Sequence, residues 1–193
     1  IKITEYRGDL IINEFMYSPI DDEPEWIELH NISGKKINLL NYGIADNSDT
    51  IKVFRNDIII DTSSFLVLAD DSSFIHSYSD VENFHISKIP SLNNSGDEIL
   101  LLDSLDRIID SLSYSSTWGG KNGKSIERID PYGLSEDPLN WSESLNPTPG
   151  KINSVTQKNE DLRIDTVFTD PSFPVIHSKT NVFVKVENIG RRN

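Results

Sequence analysis

Apolar side chains recur at every second position along most of the chain, and no segment sustains a 3.6-residue apolar stripe over three turns. That pattern commits the chain to strands. "LIINEFM", "EWIELHN", "KINLLNYGIA", "TIKVF", "FLVLAD", "DEILLLDS", "DRIIDSLSY", "KSIERID" and "VFVKVEN" are short, rich in β-branched residues and bounded by Gly, Pro, Asn, Asp or Ser. Many such strands, spaced about 8–12 residues apart, predict an antiparallel sandwich or barrel. "SSFIHSYS", Ser72 to Ser79, has room for one helical turn.

The plainest local structure is "NNSGDEILLLDSLDRIIDSLSY". Asn94-Ser95-Gly96-Asp97 signals a turn, with Gly96 free to take a positive φ. Glu98 to Asp103 and Arg107 to Tyr114 then read as a hairpin joined through Ser104-Leu105-Asp106. "TWGGKNGK" after it reads as a loop or wide turn. "NPTPGKINS", Asn146 to Ser154, carries two prolines that a paired strand cannot hold. Residues 1–154 are therefore expected to form one domain, 155–160 a linker, and 161–193 the incomplete start of a second. The tail offers too few residues for a sandwich of about seven strands. Its exposed edges must pair with something, and a homodimer through these strands is one expectation.

The chain has 193 residues and no cysteine, which excludes disulfides, thiolate zinc sites and cysteine nucleophiles. Its net charge is −13, a field that repels phosphate backbones, so nucleic acid is not an expected partner. No apolar run approaches the ~18 residues of a membrane-spanning helix. Cysteine-free chains rich in Ser, Asn and Asp fit exported or surface proteins, and many cytosolic ones as well. The expected location is extracellular or at the cell envelope, with any signal peptide outside the given sequence.

The order of motifs carries more than any one of them. "LIINEFMYSP" is followed by "EWIELHN", "INLLNYGIAD", "FLVLADD", "LNNSGDEILLLDSLDRIIDSLSY", "TWGG", "KSIERI", "NW" and "PTPGKIN". This series, from about Asp9 to Ser154, resembles the lamin-tail domain, the immunoglobulin-like sandwich at the C-terminal end of nuclear lamins, which also occurs in many bacterial exported proteins. The tail, through "LRIDTVF", "FPVIHSKTNVFVKVENIG" and its closing Asn188-x-Gly190, resembles the first strands of a CARDB-like adhesion module. The resemblance implies an antiparallel immunoglobulin-like β-sandwich. Asn13-Glu14 and Glu25 to Leu29 fall on neighbouring first strands, Asn31 ends the second, and Ile12, Phe15, Ile27 and Leu29 lie in the core. Ser125 to Arg128 forms a late strand, and Asn140-Trp141 sits near the closure. The family brings no catalytic residues. It implies a binding or structural module of a larger protein with a protein or carbohydrate partner, or an accessory domain beside a secreted hydrolase such as a nuclease or glycanase.

Some residues invite a chemical reading. Glu14, Glu25 and Glu28 could work as acid and base, as paired carboxylates do in glycoside hydrolysis. If Glu14 and Glu28 are cross-strand neighbours, they need a cation between them. Arg128 is the expected one, since a guanidinium can bind two carboxylates, and Glu14, Glu28 and Arg128 are read as a structural network. His30, His76, His85 and His177 show no zinc spacing. "WGGKNGKS" lacks the phosphate-loop register, and no G-x-S-x-G occurs. Calcium is the one plausible ion, at the oxygen-rich loops Asp21-Asp22-Glu23, Asp46 to Asp49 and Asp70-Asp71, none of which has the EF-hand spacing. Trp26, Trp118 and Trp141 are expected to pack in the core, with Trp118 alternatively a loop platform for a sugar ring or a partner.

Overall fold

The computed structural model describes residues 8–156, 162–188 and 190. In chain order its strands are β1 (Leu10–Met16), β2 (Trp26–Asn31), β3 (Ile37–Asn38), β4 (Gly43–Ala45), β5 (Thr50–Ile51), β6 (Ile59–Ile60) and β7 (Phe65–Ala69). After the one-turn helix α1 (Phe74–Ser77) come β8 (Phe84–Ile86), β9 (Gly96–Leu102), β10 (Ile108–Ser115), β11 (Ile126–Arg128), β12 (Trp141–Glu143), β13 (Leu162–Asp170) and β14 (Asn181–Asn188).

Two sheets make the body of the fold. One has six strands in the order β12-β11-β1-β2-β7-β8, and the other four in the order β10-β9-β4-β5. The expected immunoglobulin-like β-sandwich is what forms. Period-two alternation supplies its core: Leu10, Ile12, Phe15, Ile27, Leu29 and Ile126 of the first sheet meet Ile44, Ile99, Leu101, Leu112 and Tyr114 of the second. Each such buried side chain contributes roughly 1.5–3 kcal/mol by leaving water. Phe15 is the hub, with its ring centroid 4.9 Å from that of Tyr114 and 5.7 Å from that of Trp141.

The expected hairpin is β9–β10. "SSFIHSYS" yields the single turn α1. Two details differ from the sequence expectation. "KINLLNYGIA" is not one strand, because Asn41 takes a positive φ of 64° and breaks it into β3 and β4. The pairing is not purely antiparallel either, because β8 joins β7 in parallel.

The six-stranded sheet is covered on both faces. Its outer face holds a second apolar cluster of Met16, Trp26, Val67, Ala69, Phe74 and Val81, with Tyr78 and Phe84 packed against it. This is why every residue of β1 is buried although the strand contains Asn13 and Glu14. The β1–β2 register shifts between Ile12 and Glu14. The extra residue, Asn13, switches the alternation, so Ile12 and Phe15 face the core while Glu14 faces outward.

The chain divides into two compact units, Ile1–Thr156 and Gln157–Asn193. Most of the expected linker, from residue 157, lies outside the described residues, as do residue 161 and the middle position of the Asn188-x-Gly190 motif. Within the second unit β13 and β14 form an antiparallel hairpin. Its two faces differ. One carries Leu162, Ile164, Val167, Val182, Val184 and Val186, all exposed. The other carries the ion pairs Arg163–Glu187 (2.6 Å) and Lys185–Asp165 (2.7 Å), beside the stacked rings of Phe168 and Phe183.

Candidate functional site: a buried carboxylate triad and an edge cavity

Three carboxylates meet on the outer face of the six-stranded sheet. Glu14 on β1 stands opposite Glu28 on β2 and opposite Glu127 on β11. All three are fully buried. What covers them is the segment after β12, residues 146–155, which crosses this face and supplies hydrogen-bond donors. Glu14 Oε1 accepts from Ser125 Oγ (2.5 Å) and from the Thr148 amide (2.9 Å). Glu28 accepts from Asn13 Nδ2 (2.8 Å) and from the Gly150 amide. Glu127 Oε2 accepts from Ser154 Oγ (2.7 Å) and the Val155 amide (3.0 Å). Asn153 completes the closure by donating to the main-chain carbonyls of Asn13 (3.0 Å) and Arg128 (2.9 Å) and accepting from Asn13 Nδ2 (2.7 Å). Gly150 makes the turn that presents its amide. It has a φ of 78°, and an added Cβ would lie 3.3 Å from Val81.

Burial disfavours the charged form of Glu14 and of Glu28. It raises the Glu14 carboxyl to about 7, against the lowering effect of the Ser125 and Thr148 hydrogen bonds and with a further push from Glu127. Burial, and then the charge of Glu14, raise Glu28 well above the usual carboxylate range. The hydrogen-bond geometry points the same way. Thr148 Oγ1 lies 2.7 Å from Glu127 Oε1 and 3.1 Å from Glu14 Oε2. A hydroxyl has a single hydrogen to donate, so one of the two acids must bring its own.

Arg128 does not join this network, which corrects the expectation that it bridges Glu14 and Glu28. Consecutive strand residues point to opposite faces. Ile126 and Arg128 turn inward, and Glu127 between them turns outward to the place assigned to the arginine. Arg128 is 1 % exposed and reaches between the sheets to Asp110 of β10 (Nη2 to Oδ2, 3.3 Å). It also contacts the hydroxyl of Ser135, and its guanidinium lies 5.0 Å from the Trp141 ring centroid. Asp110 further accepts from the Ile12 amide (2.8 Å) and from Ser135.

This ion pair forms the floor of a cavity of about 620 Å³ at the lateral edge of the sandwich. Ile108, Ile109, Pro131 and Leu134 give it apolar walls, with Glu136 and Asp137 on the acidic side. Loop 129–137 is pinned around it. Asn140 Nδ2 donates to the carbonyls of Asp130 (3.0 Å) and Leu134 (3.2 Å), and Trp141 Nε1 donates to that of Ser135 (2.7 Å).

The remaining candidates lie apart. Trp118 is half-buried and stacks on Trp141, with ring centroids 6.3 Å apart and planes 19° apart. Glu25 accepts from the Leu92 amide (2.9 Å). His30 stacks on Phe65 at 4.3 Å, and burial, aided by Arg128, lowers its imidazole to about 4. In the acidic loops, Asp46 accepts from the amides of Ser48 and Asp49, and Asp70 pairs with Lys88 (2.6 Å). Among the described residues, no group of three or more His, Asp or Glu side chains is placed to hold a metal ion, and no helix is long and apolar enough to cross a membrane.

Sequence reasoning missed Glu127, Asp110, Thr148 and Asn153. The alternation in "SIER" was a signal for Glu127, since a core Ile126 forces its neighbour outward. The other three depend on long-range contacts with no local mark. No curated protein matches the chain. The family model described as Lamin Tail Domain matches residues 4–116, more than half of the chain and most of both main sheets. The chain belongs to the lamin tail domain family.

Proposed function

We propose that this chain is a non-enzymatic binding module of a larger exported or envelope-associated bacterial protein, and that it docks a polypeptide partner in the cavity beside β10. The observation that carries this reading is how the two clusters of polar residues are used. The acids most suggestive of catalysis are sealed under the chain's own residues 146–155, whereas the cavity is open, rigidly framed and apolar with an acidic side. Concave apolar surface with a few fixed polar groups is the usual form of a recognition site. Glu136 and Asp137, together with the net charge of −13, favour a partner segment that sets apolar side chains beside a basic one. The hairpin β13–β14 would be the opening of a second, CARDB-like adhesion module, its apolar face meeting that of a second copy.

The test is binding of labelled protein to envelope fractions of its own organism, comparing wild type with Leu134→Glu and Trp118→Ala. The docking reading expects saturable binding that Leu134→Glu weakens about tenfold or more and Trp118→Ala leaves unchanged. Unchanged binding by Leu134→Glu would remove the cavity from the account. A second reading, a sugar-binding accessory domain of a secreted hydrolase, draws on the half-exposed ring of Trp118. Glycan-array signals lost on Trp118→Ala would favour it.

A further inference from the structure

We propose that residues 146–155 form a proton-operated latch, held closed over Glu14, Glu28 and Glu127 while Glu14 carries a proton toward Thr148 and loosened when that proton leaves.

Three carboxylates are brought together by strand register. Amides of Thr148, Gly150 and Val155 and hydroxyls of Thr148 and Ser154 anchor the covering segment to them. Thr148 Oγ1 touches both Glu14 and Glu127 and can donate to only one. Glu127 already holds two further donors on its other oxygen, which suits an ionised acid. Glu14 receives the Ser125 hydroxyl and the Thr148 amide on Oε1, leaving Oε2 to carry a hydrogen toward Thr148. The chain therefore runs from Glu14 O–H to the Thr148 hydroxyl and on to the Glu127 carboxylate. Removing the proton sets the two acceptors against one hydroxyl and adds a like charge in a buried site, where such repulsion is poorly screened. The relief available is for residues 146–155 to lift and admit water.

The charged groups around the triad do not supply a substitute cation. On β2, His30 is held neutral near pH 7 by burial. Lys151, the one cation of the covering segment, points to solvent and pairs with Asp80 at 2.6 Å. Beyond α1 stands Tyr78, whose hydroxyl burial raises well above the usual phenol range, with Glu23 near it also raised by burial. β7 and β8 contribute no Asp, Glu, Lys or Arg, and on β11 the Arg128 guanidinium is directed between the sheets. Lys124 beside β11 is paired with Glu143 on β12 at 2.6 Å.

Tryptic cleavage after Lys151 reads the latch, because a protease takes an extended stretch on both sides of the bond, and Thr148, Gly150, Asn153 and Val155 hold this one to the sheet. Cleavage after Lys179, in the exposed connection between β13 and β14, corrects for the protease's own pH dependence. Between pH 6 and pH 9 the corrected rate at Lys151 should rise about tenfold or more in wild type and stay flat in Glu14→Gln, which keeps a donor toward Thr148. The near-ultraviolet circular dichroism of the buried tryptophans should hold constant across the same range. An equal rise in both proteins, or no rise in either, overturns the proposal. Loss of the tryptophan signal together with the cleavage overturns it too, since the whole fold would then be responding. Should Glu14→Gln not fold, carboxyl carbon NMR of wild type decides: a Glu14 midpoint above pH 6 supports the latch, and midpoints below pH 5 for all three acids sink it.

Discussion

Glu14 and Glu28 stand directly opposite each other on β1 and β2, both without solvent contact, and backbone amides rather than a cation meet them. Like charges in that relation destabilise a sheet, so the cost must appear as pH dependence. Folded Glu14 holds its proton up to about pH 7, against 4.5 in the unfolded chain. The native state thus binds more protons between these values, and its stability falls as pH rises through that window. The difference is roughly 3 kcal/mol at full extent. Glu14→Gln should be more stable than wild type by roughly 1–3 kcal/mol at pH 8.5 and about equal to it at pH 4.5. Urea midpoints at both pH values measure this, and an offset that does not change with pH would refute it.

His30 acts with the opposite sign over an overlapping range. Burial keeps its folded imidazole neutral down to about pH 4, while the unfolded residue titrates near 6.5. As pH falls through that interval only the unfolded chain takes up the proton, so stability is lost. Its Nδ1 also lies buried without a hydrogen-bond partner among the described residues. His30→Phe, placed against Phe65, removes both liabilities. The variant should gain stability on going from pH 7 to pH 4.5, where wild type stays nearly level. Parallel curves for the two proteins would show that His30 does not offset the acids.

Arg128 and Asp110 cross the sandwich as a buried pair. Removing one member of such a pair leaves a charge without compensation and costs about 3–5 kcal/mol. Arg128→Ala should fall in that range by chemical denaturation. A double-mutant cycle with Asp110→Asn should show a coupling of at least about 1 kcal/mol, and one with Glu28→Gln should show roughly none. Coupling to Glu28 instead would restore the carboxylate-bridging role that the sequence suggests for this arginine.

The legible part of this protein is what alternation controls. Ile12, Phe15, Ile27 and Leu29 fall in the core because period-two burial is a local property, and the β9–β10 hairpin follows from turn chemistry around Gly96 and Asp106. The juxtaposition of Glu14 and Glu28 was legible too, from two adjacent strands. Arg128 departs from the sequence expectation because strand parity overrides charge complementarity. A guanidinium can satisfy two acids only if it shares their face, and Ile126 already claims the core for its side of β11. The bulge at Asn13, which decides which face Glu14 takes, has no sequence mark of its own. Nor does the contribution of Thr148 and Asn153, since a stretch with two prolines reads as unpaired chain whether or not it lies across a sheet.

The hairpin β13–β14 carries ion pairs and two stacked phenylalanines on one face and aliphatic side chains on the other. Leu162, Ile164, Val167, Val182, Val184 and Val186 form a continuous exposed apolar surface. An isolated two-stranded hairpin is marginal in water, and an apolar face of this kind gains stability by covering itself, which two copies can do symmetrically. Multi-angle light scattering should therefore find a concentration-dependent dimer for the full chain. A monomer is expected for Val184→Asp, which sets a carboxylate at the centre of that face, and for a chain ending at Thr156, which keeps the Val155 amide on Glu127. A full chain that stays monomeric up to about 100 times the concentration needed for a micromolar dimer would show that this face is not how copies meet. A dimer that survives the loss of residues 157–193 would move the interface onto the sandwich.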